Sequence, residues 1–278
     1  MQPSVKPESA DVDNAEFWNE LCGSHAANAL GISDTSRESL RKYDEWLFDY
    51  YPYLFEHVIL ADLKDRDVLD VGLGYGSLSQ RIVESGARYT GIDVAAGPVA
   101  MLRHRLKQTG LMGHVFRTSI LAAPFPDESF DRINAIGSLQ HTGDMAKAIA
   151  QCCRLLRPGG SLTFMGYYAY SYRRWMQAPR QTLNYLLSEL GGYRGVVKPH
   201  QAVEKADFDQ NAVGEAAPHT DFISTKSLRA LCSGFSVFTW KLRNINQEPP
   251  FSKRTRDQLL RTRWPGICGL DIYATAIK

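Results

Sequence analysis

Residues 68–76 read Val-Leu-Asp-Val-Gly-Leu-Gly-Tyr-Gly, a short apolar strand that runs into a glycine-rich turn and then into a helix. Asp70 stands near the end of the strand, and Gly72, Gly74 and Gly76 follow at every second position. Glycine reaches backbone angles that are closed to residues with a Cβ, and it lets a ligand lie against the main chain. The stretch therefore predicts a nucleotide-binding turn.

An acidic residue downstream of the turn indicates what kind of nucleotide is bound. A second strand over residues 89–92 ends at Asp93, seventeen residues after Gly76. A carboxylate about 20 residues beyond such a turn can accept hydrogen bonds from ribose hydroxyls. The glycine spacing differs from G-x-G-x-x-G, in which a pyrophosphate rests on the helix N-terminus. The expected ligand is therefore a nucleoside without phosphates.

Strands and helices alternate along the chain from residue 68, which predicts a doubly wound parallel sheet. Strands are predicted at residues 68–71, 89–92, 114–118, 132–136, 161–165, 236–245 and 270–278. Helices are predicted after the first, second and fourth strands, and a loop that contains Pro124 follows the third. No helix-length pattern separates the last two strands.

Four motifs in this order resemble those of class I S-adenosylmethionine-dependent methyltransferases, in particular the type 11-like group. They are the turn at 70–76, Asp93, Pro-Phe-Pro-Asp-Glu-Ser-Phe-Asp at 124–131 and Leu-Arg-Pro-Gly-Gly at 156–160. The resemblance implies a Rossmann-like, seven-stranded sheet with an antiparallel final strand. It also implies S-adenosyl-L-methionine as the cofactor and methyl transfer as the reaction. It is close over residues 60–165 and loose over 225–278.

The resemblance also suggests how the chain is divided. We expect an N-terminal helical lid at 1–60, the cofactor-binding core at 61–165, an acceptor-binding cap inserted at 166–225, and the rest of the core at 226–278. Phe17 and Trp18 are expected to lie over the cofactor, because an aromatic lid excludes water. In the cap, apolar residues between Tyr172 and Leu190 predict one amphipathic helix.

The residues that the resemblance assigns to cofactor binding are Asp70, Gly72, Gly74, Gly76, Asp93, Ser119, Ile120, Phe17 and Trp18. One position departs from the family. Members commonly carry an aspartate where this chain has Ser119, followed here by Ile120, to hold the exocyclic amine of adenine. A serine accepts such a hydrogen bond more weakly than a carboxylate. We therefore expect a weakened adenine contact.

His141 is the candidate catalytic base. It lies in Gly-Ser-Leu-Gln-His-Thr at 137–142, after the fourth strand, at the edge where open α/β sheets bind ligands. A neutral imidazole can accept a hydroxyl proton near neutral pH. Two alternatives remain open: His141 caps the next helix or lines the methionine end of the pocket. Methyl transfer depends mainly on positioning, so one base or none suffices. More distant candidates are Tyr167, Tyr168, Tyr170, His200 and His219.

Composition limits the class of partner. The 278 residues carry a net charge of +2, too small for the basic surface that nucleic-acid binding requires. The five cysteines form no C-x-x-C pair, so neither a metal site nor a disulfide framework is indicated. With no apolar run of membrane-span length and no signal-peptide pattern, we expect a cytoplasmic protein, either a monomer or a homodimer.

The resemblance and the composition together predict a methyltransferase that acts on an oxygen of a small-molecule acceptor, which is a metabolite, sugar or secondary product. Basic residues in the cap could orient an acceptor with a carboxylate or phosphate; they are Arg173, Arg174, Arg180, Arg194 and Lys198. The alternatives are an RNA or protein methyltransferase, a nucleotide-dependent dehydrogenase, and a catalytically silent cofactor-binding subunit.

Overall fold

The structure, a computed structural model, describes residues 9–19, 24–199, 207–211 and 214–278. The strands in these ranges are β1 Asp67–Val71, β2 Arg88–Asp93, β3 His114–Arg117, β4 Phe130–Ile136, β5 Leu156–Tyr168, β6 Phe222–Ile223, β7 Val237–Arg243 and β8 Asp271–Ile277. The α-helices are α1 Ser9–Phe17, α2 Ser24–Ala29, α3 Arg37–Tyr50, α4 Leu54–His57, α5 Ser77–Glu84, α6 Ala96–Thr109, α7 Met145–Leu155, α8 Tyr172–Gln177, α9 Pro179–Leu190, α10 Thr225–Leu231, α11 Arg256–Leu260 and α12 Trp264–Cys268. None of the helices in these ranges has the length and apolar character needed to cross a bilayer.

The strands form one mixed sheet in the order β3-β2-β1-β4-β5-β8-β7. Strands β1 to β5 pair in parallel, and β8 runs antiparallel to both of its neighbours, β5 and β7. The two-residue strand β6 adds a short parallel pairing at the end of β5. Apart from β6, this is the predicted seven-stranded sheet with an antiparallel final strand, so the predicted fold class is confirmed.

The cap differs from the sequence prediction in its helices. One helix was expected between Tyr172 and Leu190, but α8 ends at Gln177 and α9 begins at Pro179. Ala178 between them has φ −133° and ψ 54°, outside the helical region. Proline disfavours the α conformation of the preceding residue while suiting the first position of a helix, so Pro179 ends one helix and starts the next. The single-helix prediction was wrong.

Helices cover both faces of the sheet, so a ligand can reach it at the ends of the strands. Leu69 on β1 is fully buried and belongs to the cluster that contains Ile149 of α7. Its neighbour Val68 is equally buried and belongs to the opposite cluster, which contains Ile82 of α5 and Leu102 of α6. Alternate residues of a strand face opposite sides, so helices are required on both. The carboxyl ends of β1 to β4 and the loops after them carry the predicted site residues other than Phe17 and Trp18, which belong to the N-terminal segment.

Candidate active site

A pocket lies at the carboxyl ends of β1, β2, β3 and β4, between the loops that follow these strands. Its cavity volume is about 160 Å³. Apolar surface and a few polar groups line it, as is typical of small-molecule sites. The predicted site residues found in its wall are Trp18, Gly72, Gly74, Asp93, Ser119, Ile120 and His141.

Asp70 lies behind this wall and supports it. Its buried carboxylate accepts hydrogen bonds from Ser79 Oγ at 2.6 Å and from Tyr89 Oη at 2.9 Å. Burial raises the pKa of Asp70 to about 6. The side chain thus links β1 to α5 and β2 instead of facing a ligand. Phe17 also stands outside the wall and packs edge-on against Trp18, with ring centroids 4.7 Å apart.

The glycine turn is shaped by a close approach between two loops. Gly72 has φ +84°, and a Cβ on it would lie 2.4 Å from Cβ of Ser138. Ser138 itself donates a hydrogen bond from Oγ to the carbonyl of Val71 at 2.6 Å. The loop after β4 therefore rests directly on the loop after β1, and position 72 has no room for a larger residue.

A buried arginine holds the other end of the turn. Arg105 on α6 donates from Nε to the carbonyl of Tyr75 at 2.6 Å. Its two terminal nitrogens pair with the carboxylate of Asp44 on α3, at 2.8 and 3.0 Å. The side chain of Arg105 is only 1% exposed, and these partners, together with Gln80 Oε1 at 3.1 Å and Ser77 Oγ at 3.3 Å, offset its desolvation. Sequence reasoning missed the pair of Asp44 and Arg105 because its members are 61 residues apart and belong to no local motif.

Asp93 closes the pocket at the end of β2. Its Oδ2 accepts a hydrogen bond from the amide of Leu73 at 2.8 Å, and its Oδ1 accepts one from the amide of Ala95 at 2.9 Å. Burial raises the pKa of Asp93 to about 6. A carboxylate has about four lone-pair sites, so each oxygen can still accept a ribose hydroxyl. With apolar Val94 and Ile120 beside it in the wall, the site fits the nucleoside part of S-adenosylmethionine.

His141 stands at the β4 side of the same pocket, with both ring nitrogens next to oxygen atoms. Nδ1 is 2.7 Å from the carbonyl oxygen of His219, and Nε2 is 3.3 Å from Oδ2 of Asp209. The alignment at Nε2 is that of an ion-pair contact and not of a well-directed hydrogen bond. Tyr167 donates its hydroxyl to the same Oδ2 of Asp209 at 2.5 Å. Asp144 caps α7, so His141 does not have that role.

This environment fixes the tautomer of His141 and changes its pKa. A carbonyl oxygen can only accept a hydrogen bond, so Nδ1 carries a hydrogen and Nε2 is the basic atom of the neutral ring. Burial is the largest single effect and favours the neutral ring. The charge and contact of Asp209, the hydrogen bond to the carbonyl of His219 and the charge of Asp221 together outweigh burial, so the pKa of His141 is raised above its ordinary value. The position can therefore take up and hold a proton at Nε2.

Helix α1 spans the pocket from the β3 side to the β4 side. Asp11 accepts a hydrogen bond from Ser119 Oγ at 2.8 Å. Asn14 donates from Nδ2 to the carbonyl of His141 at 2.6 Å, and the ring of Trp18 lies 5.1 Å from the imidazole. Asp11 and Asn14 were missed by sequence reasoning, as was Asp209, because each reaches the site through a long-range contact that leaves no local pattern.

The basic residues of the cap are largely structural. Arg173 and Arg174 are buried, and their guanidinium groups lie 4.8 Å and 4.6 Å from the ring centroids of Phe208 and Phe222. Arg173 also pairs with Glu248 at 2.7 Å. The expectation that they stand ready for an anionic acceptor is therefore not met, because neither lines the pocket. Arg180 and Lys198 line a separate surface groove of the cap. His200 lies outside the described residues.

Residues 69–164 match the family described as a methyltransferase domain. The strand order and the pocket at the strand ends agree with that match. The core of this chain is therefore a methyltransferase domain with the class I S-adenosylmethionine-dependent methyltransferase fold, and the predicted family resemblance is confirmed.

Curated relatives that are similar to this core are named as O-methyltransferases. A ubiquinone biosynthesis O-methyltransferase of Stutzerimonas stutzeri is 35% identical over 114 residues, covering 40% of this chain and 47% of that protein. Its counterpart in Photobacterium profundum is 26% identical over 158 residues, covering 56% of this chain and 66% of that protein. The chain thus spans about half the length of the curated relatives it matches.

Among solved structures, the magnesium protoporphyrin IX methyltransferase of Synechocystis with bound SAH aligns at a TM-score of 0.55 and 14% identity. The alignment covers 97% of this chain and 100% of that one. At this identity the likeness concerns the fold alone.

Proposed function

We propose that this chain transfers the methyl group of S-adenosylmethionine to an oxygen of a small-molecule acceptor. The observation that carries the proposal is one pocket with Asp93 at the end of β2 and the His141–Asp209 pair at the end of β4. The curated relatives named as O-methyltransferases support the choice of oxygen and of a small acceptor. When bound, S-adenosylmethionine supplies an electrophilic methyl group on a sulfonium.

The chain contributes two things to cofactor binding: hydrogen-bond acceptors held in fixed positions, and main chain that lies directly at the pocket. Asp93 lines the pocket and is held by two backbone amides, so the orientation of its carboxylate is fixed. Gly72 and Gly74 lie in the pocket wall and present main chain to it. Such positioning accounts for most of the rate in a displacement reaction, because the reacting atoms are held in line.

The proton of the acceptor hydroxyl goes to Nε2 of His141 in this proposal. The carbonyl of His219 holds the other ring proton at Nδ1, which leaves the Nε2 lone pair available in the neutral ring. The nearby carboxylate of Asp209 then stabilises the imidazolium that forms. The hydroxyl of Tyr167 fixes Asp209 in place and so acts as a positioning group.

The test measures S-adenosylhomocysteine formation over a panel of phenols, sugars and other hydroxylated metabolites. His141→Ala should lower the rate by roughly 10²- to 10⁴-fold while leaving cofactor affinity nearly unchanged. His114→Ala is the matched control, because His114 is an exposed histidine on β3. Cofactor binding without turnover of any acceptor would favour the silent-subunit alternative. Absence of cofactor binding would overturn the proposal.

A further inference from the structure

A carboxylate from the N-terminal helix α1 lies beside Ser119, at the place in the pocket where the core itself has no carboxylate. Ser119, which replaces the commonly found aspartate, donates its hydroxyl hydrogen to Oδ1 of Asp11 at 2.8 Å. The same Oγ accepts the amide hydrogen of Leu121 at 3.1 Å. A hydroxyl has a single hydrogen, so that of Ser119 is committed to orienting Asp11. Asp11 is 8% exposed and lines the pocket.

The order of the strands fixes which end of the ligand Asp11 would meet. Adjacent strands β3, β2, β1 and β4 bring Ser119, Asp93, Gly72 and His141 to the pocket in that order. With the ribose on Asp93 and the reacting methyl near His141, the base extends to the β3 side. Ile120 provides apolar surface at this end, and Asp11 provides the charged acceptor.

We propose that Asp11, carried on the N-terminal helix α1, accepts the hydrogen bond of the exocyclic amine of adenine in place of a carboxylate at position 119. The inference rests on the proposed use of S-adenosylmethionine. A carboxylate only accepts hydrogen bonds, so it matches the amine of adenine and repels the carbonyl oxygen found at that position in inosine. The adenine specificity of the pocket therefore depends on a residue outside the core.

Contacts that involve no ligand place α1 for this task. Gly97 at the start of α6 donates its amide hydrogen to Oδ1 of Asn19 at 3.1 Å. A Cβ on Gly97 would lie 2.2 Å from the carbonyl oxygen of Asn19, so only glycine permits this approach. The bond from Asn14 to the carbonyl of His141 holds the middle of the segment. The N-terminal segment is thus bound to the core at three points, through Asp11, Asn14 and Asn19. A cofactor that contacts Asp11 would stabilise this bound position of the segment.

The first experiment compares S-adenosylhomocysteine with S-inosylhomocysteine by calorimetry. The wild type should prefer the adenine compound by roughly 10- to 100-fold, the range for a hydrogen bond to a charged group. Asp11→Asn still accepts from Ser119 but turns an amide donor toward the base, so it should weaken S-adenosylhomocysteine binding and reduce or reverse the preference. Glu16→Gln, an exposed residue on the same helix, is the control and should change neither affinity.

The second experiment exchanges the two side chains. Asp11→Ser alone should weaken S-adenosylhomocysteine binding, and the double variant with Ser119→Asp should recover most of the loss. A double variant no tighter than the single one would overturn the inference, as would an Asp11→Asn variant with unchanged affinity and preference. If Asp11→Asn does not fold, the wild type alone still tests the inference: equal affinity for S-adenosylhomocysteine and S-inosylhomocysteine would contradict it. Failure of the wild type to bind either compound would instead overturn the proposed function.

Discussion

The Nε2 atom of His141 lies 3.3 Å from Oδ2 of Asp209, which joins the loop after β4 to the cap across the pocket wall. The carboxylate favours the protonated ring, so it makes His141 a stronger base and also lowers the fraction of neutral imidazole at a given pH. The pair thereby sets the pH range in which the site can act, and this effect is measurable.

Asp209→Asn should shift the pH dependence of methyl transfer toward lower pH and reduce its maximal rate. In the wild type, Nε2 becomes available as pH rises through a His141 pKa that lies above the ordinary value of 6.5. A neutral amide no longer stabilises the imidazolium, so the pKa falls and the rising limb of the profile moves with it. Initial rates at saturating cofactor, measured from about pH 5.5 to 9, give the midpoint of the rising limb for the wild type and for the variant. Superimposable profiles would assign the proton to another group.

Asp93→Ala should weaken S-adenosylmethionine binding by about 1 to 3 kcal/mol, the cost of a lost buried polar contact. The same change releases the amides of Leu73 and Ala95, so hydrogen exchange at Leu73 should accelerate even without ligand. Calorimetry measures the first effect and mass-resolved exchange the second. The exposed Asp62 provides the control variant, Asp62→Ala. Unchanged affinity would remove the ribose assignment.

Asp44→Ala should destabilise the protein by about 3 to 5 kcal/mol, because it leaves the buried guanidinium of Arg105 without its carboxylate. Glu45→Ala, one position along α3, removes only an exposed ion pair with Arg41 and should cost under about 1 kcal/mol. Chemical denaturation of both variants gives the comparison. Equal losses would show that burial of Arg105 does not need Asp44.

Asp271→Asn should stabilise the protein at alkaline pH. Asp271 on β8 is buried and accepts a hydrogen bond from Asn244 at 2.9 Å, and burial raises its pKa to about 7. The folded state favours the protonated carboxyl, so the wild type loses stability as pH rises from 3.8 through about 7. The asparagine variant has no such loss and should gain up to about 4 kcal/mol at pH 8 relative to pH 4. Thermal unfolding at several pH values checks this; a pH-independent difference would contradict it.

The core could be predicted from sequence because its signals are local. The apolar strand into Gly72 and the strand end at Asp93 specify their own surroundings within a few residues. The break between α8 and α9 is also encoded locally, by Pro179. The prediction followed the apolar periodicity of the segment instead of the proline, and so gave one helix. Asp11 and Asp209 could not have been found in this way, since each acts on a residue far along the chain and lies in a segment without periodicity.

The pair of Asp44 and Arg105 has a consequence for treating this chain as separable parts. A boundary after residue 60, where the composition changes, would divide the carboxylate from the guanidinium that holds the carbonyl of Tyr75. A fragment that begins at residue 61 would expose a cation whose surroundings evolved to exclude water. In a chimaera built from this chain, α3, α6 and the glycine turn must accordingly come from the same parent.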